Sequence, residues 1–439
     1  VTNVVTGAYM PAISPDGKTL VYVGYTSKGF DLYRMPIDAT NWLDPLPPPE
    51  RPDGVVVTPT KHYPVARYNP LPTVRPRAYD LTYGTGNFGR NALTISTKGS
   101  DAVGHHVYGA SVTFEPNGPE WQGGLDYWYT RLPFDFHASV FRSTQPQRNY
   151  RVGETPETVV EHAYGVSTGL ELFVPSEFNW QAAALSYNVT DTFHDAPFGT
   201  RVDPWAPVPT EPSSGFVTWV HAGYAFGNAE GSTYSIKFER GLALNLGVDW
   251  SGPALGSEST FSVFSGNVIG YVLMPWRHHH VLALQAMAGS SAGTWARRAG
   301  FATGGYVDQP VVDVYTKGIR QPQFVLRGFE PLQFFGNNFT LFNAEYRFPI
   351  AYVDRGVSTL PVFLQQVSGT VFADWGGAYD SIPHDSPLDV MHLGAGGELW
   401  VNFSLGYRLD WMLRIGLAHG FGAAAKNPIQ SYFVISTAY

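Results

Sequence analysis

Residues 324–350 read FVLRGFEPLQFFGNNFTLFNAEYRFPI. The second half alternates. Phe342, Ala344, Tyr346 and Phe348 share one face of an extended chain, and Asn343, Glu345 and Arg347 share the other. The first half has neither helical nor strand period, is rich in aromatics, and sets Arg327 beside Gly328. A long irregular segment therefore presents one arginine immediately before a two-faced strand.

The alternation recurs along the chain. Amphipathic runs occupy 77–86, 92–97, 106–114, 124–131, 134–141, 165–174, 181–189, 216–226, 232–250, 263–274, 281–289, 339–350, 362–376, 392–405, 408–421 and 431–439. They number sixteen, and bacterial membrane barrels use even strand numbers. Even-to-odd links are short (132–133, 175–177, 228–231, 275–280). Several odd-to-even links are long: the one after Phe141, about 25 residues after Val189, and more than 40 between Gly289 and Phe339. Short turns at one end and long loops at the other predict a transmembrane barrel; a soluble sandwich gives no reason for that asymmetry. In the run 408–421, Leu409, Trp411, Leu413, Ile415 and Leu417 oppose Arg408, Asp410 and Arg414. Each Arg turned toward lipid near the midplane would cost about 2–4 kcal/mol, so the charged face belongs to the lumen. Glu345, Arg347 and Glu398 are assigned there on the same grounds.

Composition agrees. Of 439 residues, 44% are apolar, 15% aromatic and only 15% charged, with 47 Gly and 34 Pro, a balance of strands and turns rather than long helices. No apolar run reaches the roughly 18 residues of a membrane helix, and barrel strands hide from such scans because half their residues face inward. A net charge of −8 provides no basic stripe for nucleic acid. There is no cysteine, hence no disulfide framework.

Two segments precede the barrel. Residues 8–38 hold three short runs, with a turn at Ser14-Pro15-Asp16-Gly17: proline presets φ, aspartate bonds the backbone ahead, and glycine takes positive φ. An ordinary three-stranded meander is one reading. The spacing Ser14–Lys18, Leu20–Val23, Asp31–Tyr33 resembles a blade of a TolB-like β-propeller, which implies that 1–40 is a last blade with the others upstream of Val1. Ten prolines between Pro45 and Pro76 make 41–76 an extended, semi-rigid linker. The expected architecture is all-β: a partial propeller blade, the linker, and a sixteen-stranded antiparallel transmembrane barrel over 77–439.

Sixteen runs, the longest loop between the eleventh and twelfth, Leu326-Arg327-Gly328-Phe329 in that loop and an aromatic C-terminus together resemble the BamA superfamily of outer-membrane assembly and transport barrels. That family's F-x-D-x-G motif on strand thirteen has its counterpart in Phe372-Ala373-Asp374-Trp375-Gly376, in the thirteenth run. The resemblance implies that loop 293–336 folds into the lumen and that the tip Arg327-Gly328-Phe329 sets its arginine against Asp374, with Glu345 and Glu398 sharing the charge. Leu326 departs from the usual Val or Ile, and the POTRA modules that normally precede the barrel are replaced by the propeller-like segment. It also implies a seam between strand one, weakened by Gly84 and Gly86, and the last strand ending at Tyr439, where an incoming strand is templated by β-augmentation.

The function implied is a non-enzymatic outer-membrane protein that assists insertion or translocation of polypeptides, its propeller segment on the periplasmic side. Its expected partners are outer-membrane lipid, periplasmic or surface proteins held by the propeller, and client proteins. A passive anchor or scaffold is the second reading and a diffusion porin the third. No cofactor or metal is expected. His278-His279-His280 occupies a short turn where neighbours point apart, and no nucleophile-elbow, zincin, P-loop or Rossmann motif occurs.

Overall fold

The computed structural model describes residues 7–26, 29–38, 40, 67–87, 91–116, 121–153, 155–197, 199–202, 214–232, 234–294, 300–306, 324–356, 358–381, 387–406, 409–425 and 429–437. The chain divides into two units, Val1–Tyr68 and Asn69–Tyr439.

The first unit holds an antiparallel meander of β1 (Ala8–Ile13), β2 (Thr19–Thr26) and β3 (Gly29–Pro36). The turn between β1 and β2 forms for the reasons its sequence suggests. The Asp16 carboxylate accepts from the Ser14 hydroxyl (2.5 Å) and the Lys18 amide (3.1 Å), and Gly17 sits at φ +70°. Leu20 is the buried apolar residue of this sheet, while Tyr9, Ile13, Phe30 and Leu32 stand exposed. Most of 41–76 lies outside the described residues.

The second unit is one large antiparallel sheet. Its strands are β4 (Ala78–Thr85), β5 (Asn91–Ser100), β6 (His106–Phe114), β7 (Trp121–Tyr129), β8 (Asp135–Val152), β9 (Thr155–Pro175), β10 (Trp180–His194), β12 (Gly215–Gly227), β13 (Gly241–Ser251), β14 (Phe261–Leu273), β15 (Val281–Gly293), β18 (Asn338–Gly356), β19 (Val362–Tyr379), β20 (His392–Leu405), β21 (Leu409–Gly420) and β22 (Ile429–Thr437). These sixteen follow one another in chain order. The short β11 (Thr200–Val202) adds to the end of β8, and β16 (Phe301–Thr303) pairs with β17 (Phe334–Gly336) within the long loop. The order returns on itself, with β22 next to β4. Every other consecutive pair of the sixteen has a defined register; for β22 and β4 none is defined among the described residues.

Two sequence expectations need correction. The link after Phe141 is not a loop. β8 runs on to Val152 and β9 starts at Thr155, a tall hairpin closed at Gly153, whose φ is +63°. Its upper half lost the signal because both faces there are polar, as in QRNYR and ETPETVVEH. Conversely, 232–240 is not a strand. Ile236 and Phe238 imitate the alternation, but Gly241 at φ +96° turns the chain where a Cβ would lie 2.4 Å from the Asn228 carbonyl oxygen. The segment folds inward, and Ile236 packs with Trp400 and Met412.

The two faces differ as the pattern demands. On β13, Leu242, Leu246, Val248 and Trp250 are exposed on the outer side, while Asn245 and Asp249 point the other way. Leu246→Arg is expected to weaken refolding into lipid vesicles by about 2–4 kcal/mol, and the adjacent Asn245→Arg to leave it nearly unchanged. Denaturant titrations read by heat-modifiable gel mobility measure both; equal costs would contradict the assignment of faces.

Candidate functional site: an ion cluster closing the lumen

The loop between β15 and β18 returns into the sheet's interior. Its base is the β16–β17 pair, and Gly304 and Gly305 bridge to Val325 and Pro331. Leu326 and Phe329, both fully buried, pack with Phe301, Phe339 and Leu341. These two residues flank the arginine and hold the tip by apolar burial before any charge is considered.

Arg327 itself is 3% exposed. Its Nε and Nη2 donate to the two oxygens of Asp374 at 2.7 and 2.6 Å, a bidentate fork, and its backbone amide donates to the same carboxylate at 3.0 Å. Nη1 donates to Glu345 (2.8 Å) and Glu398 (3.1 Å). The guanidinium carbon lies 3.5 Å from the centroid of the Phe372 ring. Asn343 also donates to Asp374.

The carboxylates are shared outward. Glu345 accepts from Arg347 Nε and Nη2 at 2.9 and 2.6 Å. Glu398 accepts from Arg414, from Trp400 Nε1 (2.5 Å) and from the Tyr432 hydroxyl (2.6 Å). Three arginines thus meet three carboxylates. Such a balanced cluster is the arrangement in which charge burial is tolerable, because desolvating any member alone is strongly unfavourable.

Glycine makes the approach possible. A Cβ at Gly394 on β20 would sit 1.9 Å from the Arg327 carbonyl oxygen, and one at Gly420 on β21 would sit 2.3 Å from that of Gly328. Gly328 is at φ +92°. The tip therefore rests directly on wall backbone.

The structure brings together Arg327, Gly328, Phe329, Phe372, Asp374, Glu345, Arg347, Glu398 and Arg414. Asp410 stands apart, bonded to Ser404 and Gln365 (3.0 Å). Gly376 belongs to the wall, where a Cβ would lie 2.2 Å from the Thr340 carbonyl oxygen. At Gly86, just past the end of β4, a Cβ would meet the end of the Glu115 side chain, with Oε1 2.0 Å away. Gly84 has open space around it. Arg408 and Tyr439 lie outside the described residues. Within the histidine triplet, His279 pairs with Glu239 (2.6 Å) and His280 with the Tyr346 hydroxyl (2.8 Å).

Sequence reasoning missed Trp400, Tyr432, Gly394, Gly420 and Lys237. The glycines fall at inward-facing positions of their strands, and that parity was the available signal. Lys237 comes from the inward-folded 228–240 segment, at the opposite end from the long loop, and its ammonium lies 5.6 Å from the Trp400 ring centroid. Burial, then the charges of Arg347 and Arg414, lower its pKa to about 8.

Arg327→Ala would leave three carboxylates short of a partner, a loss of about 3–5 kcal/mol by analogy with broken buried pairs. The barrel is expected to persist while the loop becomes protease-sensitive. Arg327→Lys, lacking the fork, should not restore protection. Limited proteolysis beside heat-modifiability reads both, and unchanged loop protection in the alanine variant would contradict the latch.

No protein-family model matches the chain, and no curated protein does. In fold it is similar to the solved BamA of Haemophilus ducreyi lacking POTRA domains 1–3, with a TM-score of 0.50 and 14% identity, over 82% of this chain and 69% of that one. CdiB from Escherichia coli aligns over 83% of this chain and 68% of its own at 12% identity, with a TM-score of 0.48. The sixteen-strand antiparallel sheet with almost no helix thus has the fold of the BamA barrel.

Proposed function

We propose that this chain is an outer-membrane barrel of the BamA superfamily type that assists insertion or translocation of polypeptides through the seam between β4 and β22. The supporting observation is the edge of β22. A cavity of about 640 Å³ there is lined by Gly416 and Tyr432 from the inner face and by Ile415, Leu417 and Phe433 from the outer face. We read a cavity reached from both faces of β21 and β22 as a thinly covered stretch of wall beside the closure of β22 on β4. β22 and β4 span nine and eight residues, against 19 for β18 and 18 for β19, so little ladder is available to close them. An uncovered edge offers unpaired N–H and C=O groups to an incoming strand.

In this reading the Arg327 cluster is structural. It keeps the long loop inside, blocking the lumen, so that traffic is directed to the seam. The meander of β1–β3 is read as the last blade of a TolB-like propeller on the periplasmic side, its exposed apolar faces suited to neighbouring blades or protein partners. A second reading, the passive anchor or scaffold, is favoured by the obstruction of the lumen from both ends. The same obstruction disfavours a diffusion porin.

Because the chain lacks cysteine, paired cysteines on β4 and β22 form a clean lock. Oxidation is expected to abolish client assembly in cells that depend on the protein, and reduction to restore it. Full activity of the locked form would reject the seam and leave the anchor.

A further inference from the structure

Between the two inward segments lies a cavity of about 220 Å³, lined by Lys237, Arg327, Glu345, Arg347, Trp400 and Arg414 among others. Among the described residues its charges do not balance. Arg327, Arg347 and Arg414 are matched by Glu345, Asp374 and Glu398, and Lys237 is one cation in excess. No carboxylate lies within ion-pair distance of Lys237 among the described residues.

A second observation is independent of that arithmetic. Arg347 is 7% exposed; its Nε and Nη2 are engaged by Glu345 and the Tyr271 phenol stands beside the guanidinium, while Nη1 has no acceptor in hydrogen-bond geometry. A buried guanidinium N–H left unpaired is costly unless something accepts from it. Trp400 forms a common floor, with the cationic groups of Lys237, Arg347 and Arg414 at 5.6, 5.3 and 5.0 Å from its ring.

We propose that this cavity binds a phosphate-sized oxyanion, held by Lys237 Nζ and Arg347 Nη1. Such a ligand supplies the missing charge, accepts from the orphaned N–H, and screens the mutual repulsion of the two cations. It also joins the 228–240 segment to the wall strand beneath the latch, so occupancy would steady both plugs at once. Guanidinium and ammonium groups on a shaped floor are a fitting donor set for oxyanions.

The charged groups around Lys237 are Arg347 and Glu345 on β18, Glu398 on β20, Arg414 on β21 and Arg327 on the loop, with the phenols of Tyr271 and Tyr306; Glu239 on its own segment is engaged by His279. The lowered pKa of Lys237 sets the sign of the pH dependence. The ammonium is charged below about pH 8 and neutral above it, so the anion should bind more weakly as pH rises through that value and should itself pull a proton onto Lys237.

The test is phosphorus NMR titration of inorganic phosphate into the full chain in detergent micelles. Saturable binding is expected, weakened about tenfold or more by Lys237→Met, and losing its pH dependence near 8 in that variant. Arg347→Met should weaken it similarly. If that variant fails to fold, the turn variant Lys237→Met still decides. Absence of saturable binding, binding unaffected by Lys237→Met, or complete displacement by chloride at equal ionic strength would overturn the proposal.

Discussion

The interior of this barrel is organised around one guanidinium. Arg327 arrives on a loop rather than on the wall, and it is the only described arginine engaged by Asp374, Glu345 and Glu398 together. Three carboxylates projecting from β18, β19 and β20 into a shared interior would repel one another and resist burial. The loop's arginine makes their proximity tolerable, and they in turn give a long irregular segment a fixed end point. Neither partner is stable in this position without the other, which is why the geometry is bidentate and backbone-assisted rather than a single contact.

The consequences run outward. Leu326 and Phe329 bury on either side of the arginine, Gly394 and Gly420 let it rest against the wall, and Phe372 lies beneath its plane. Arg347 and Arg414 extend the network along β18 and β21, and Trp400 ties it to the segment that enters from the other end. The lumen is thus filled from both sides, by the loop tip and by the 228–240 segment.

Much of this was legible in the residues. Period-two alternation located nearly every wall strand, because an apolar outer face and a polar inner face alternate along each of them. The pairing of Arg327 with Asp374 came from a motif resemblance; no local pattern would have given it, since the partners are 47 residues apart. Alternation failed in two informative places. In the upper half of the β8–β9 hairpin, polar residues such as those of QRNYR occupy both alternating positions, so no two-faced pattern reveals the strand. In 232–240, Ile236 turns inward toward Trp400 rather than outward, so its hydrophobicity signals the lumen plug and imitates a strand. The glycines of the latch were visible as letters, but their role depends on which backbone approaches them, and that is decided by the fold.

A loop tip fixed inside the barrel is the condition on which the closed lumen depends. Spin labels at Pro331→Cys on the loop and Glu177→Cys on a short turn, in a chain with no other cysteine, measure this by electron double resonance in lipid. A single narrow distance distribution is expected, broadening when Arg327→Ala is added. A broad distribution with Arg327 in place would contradict the latch and the obstructed lumen built upon it.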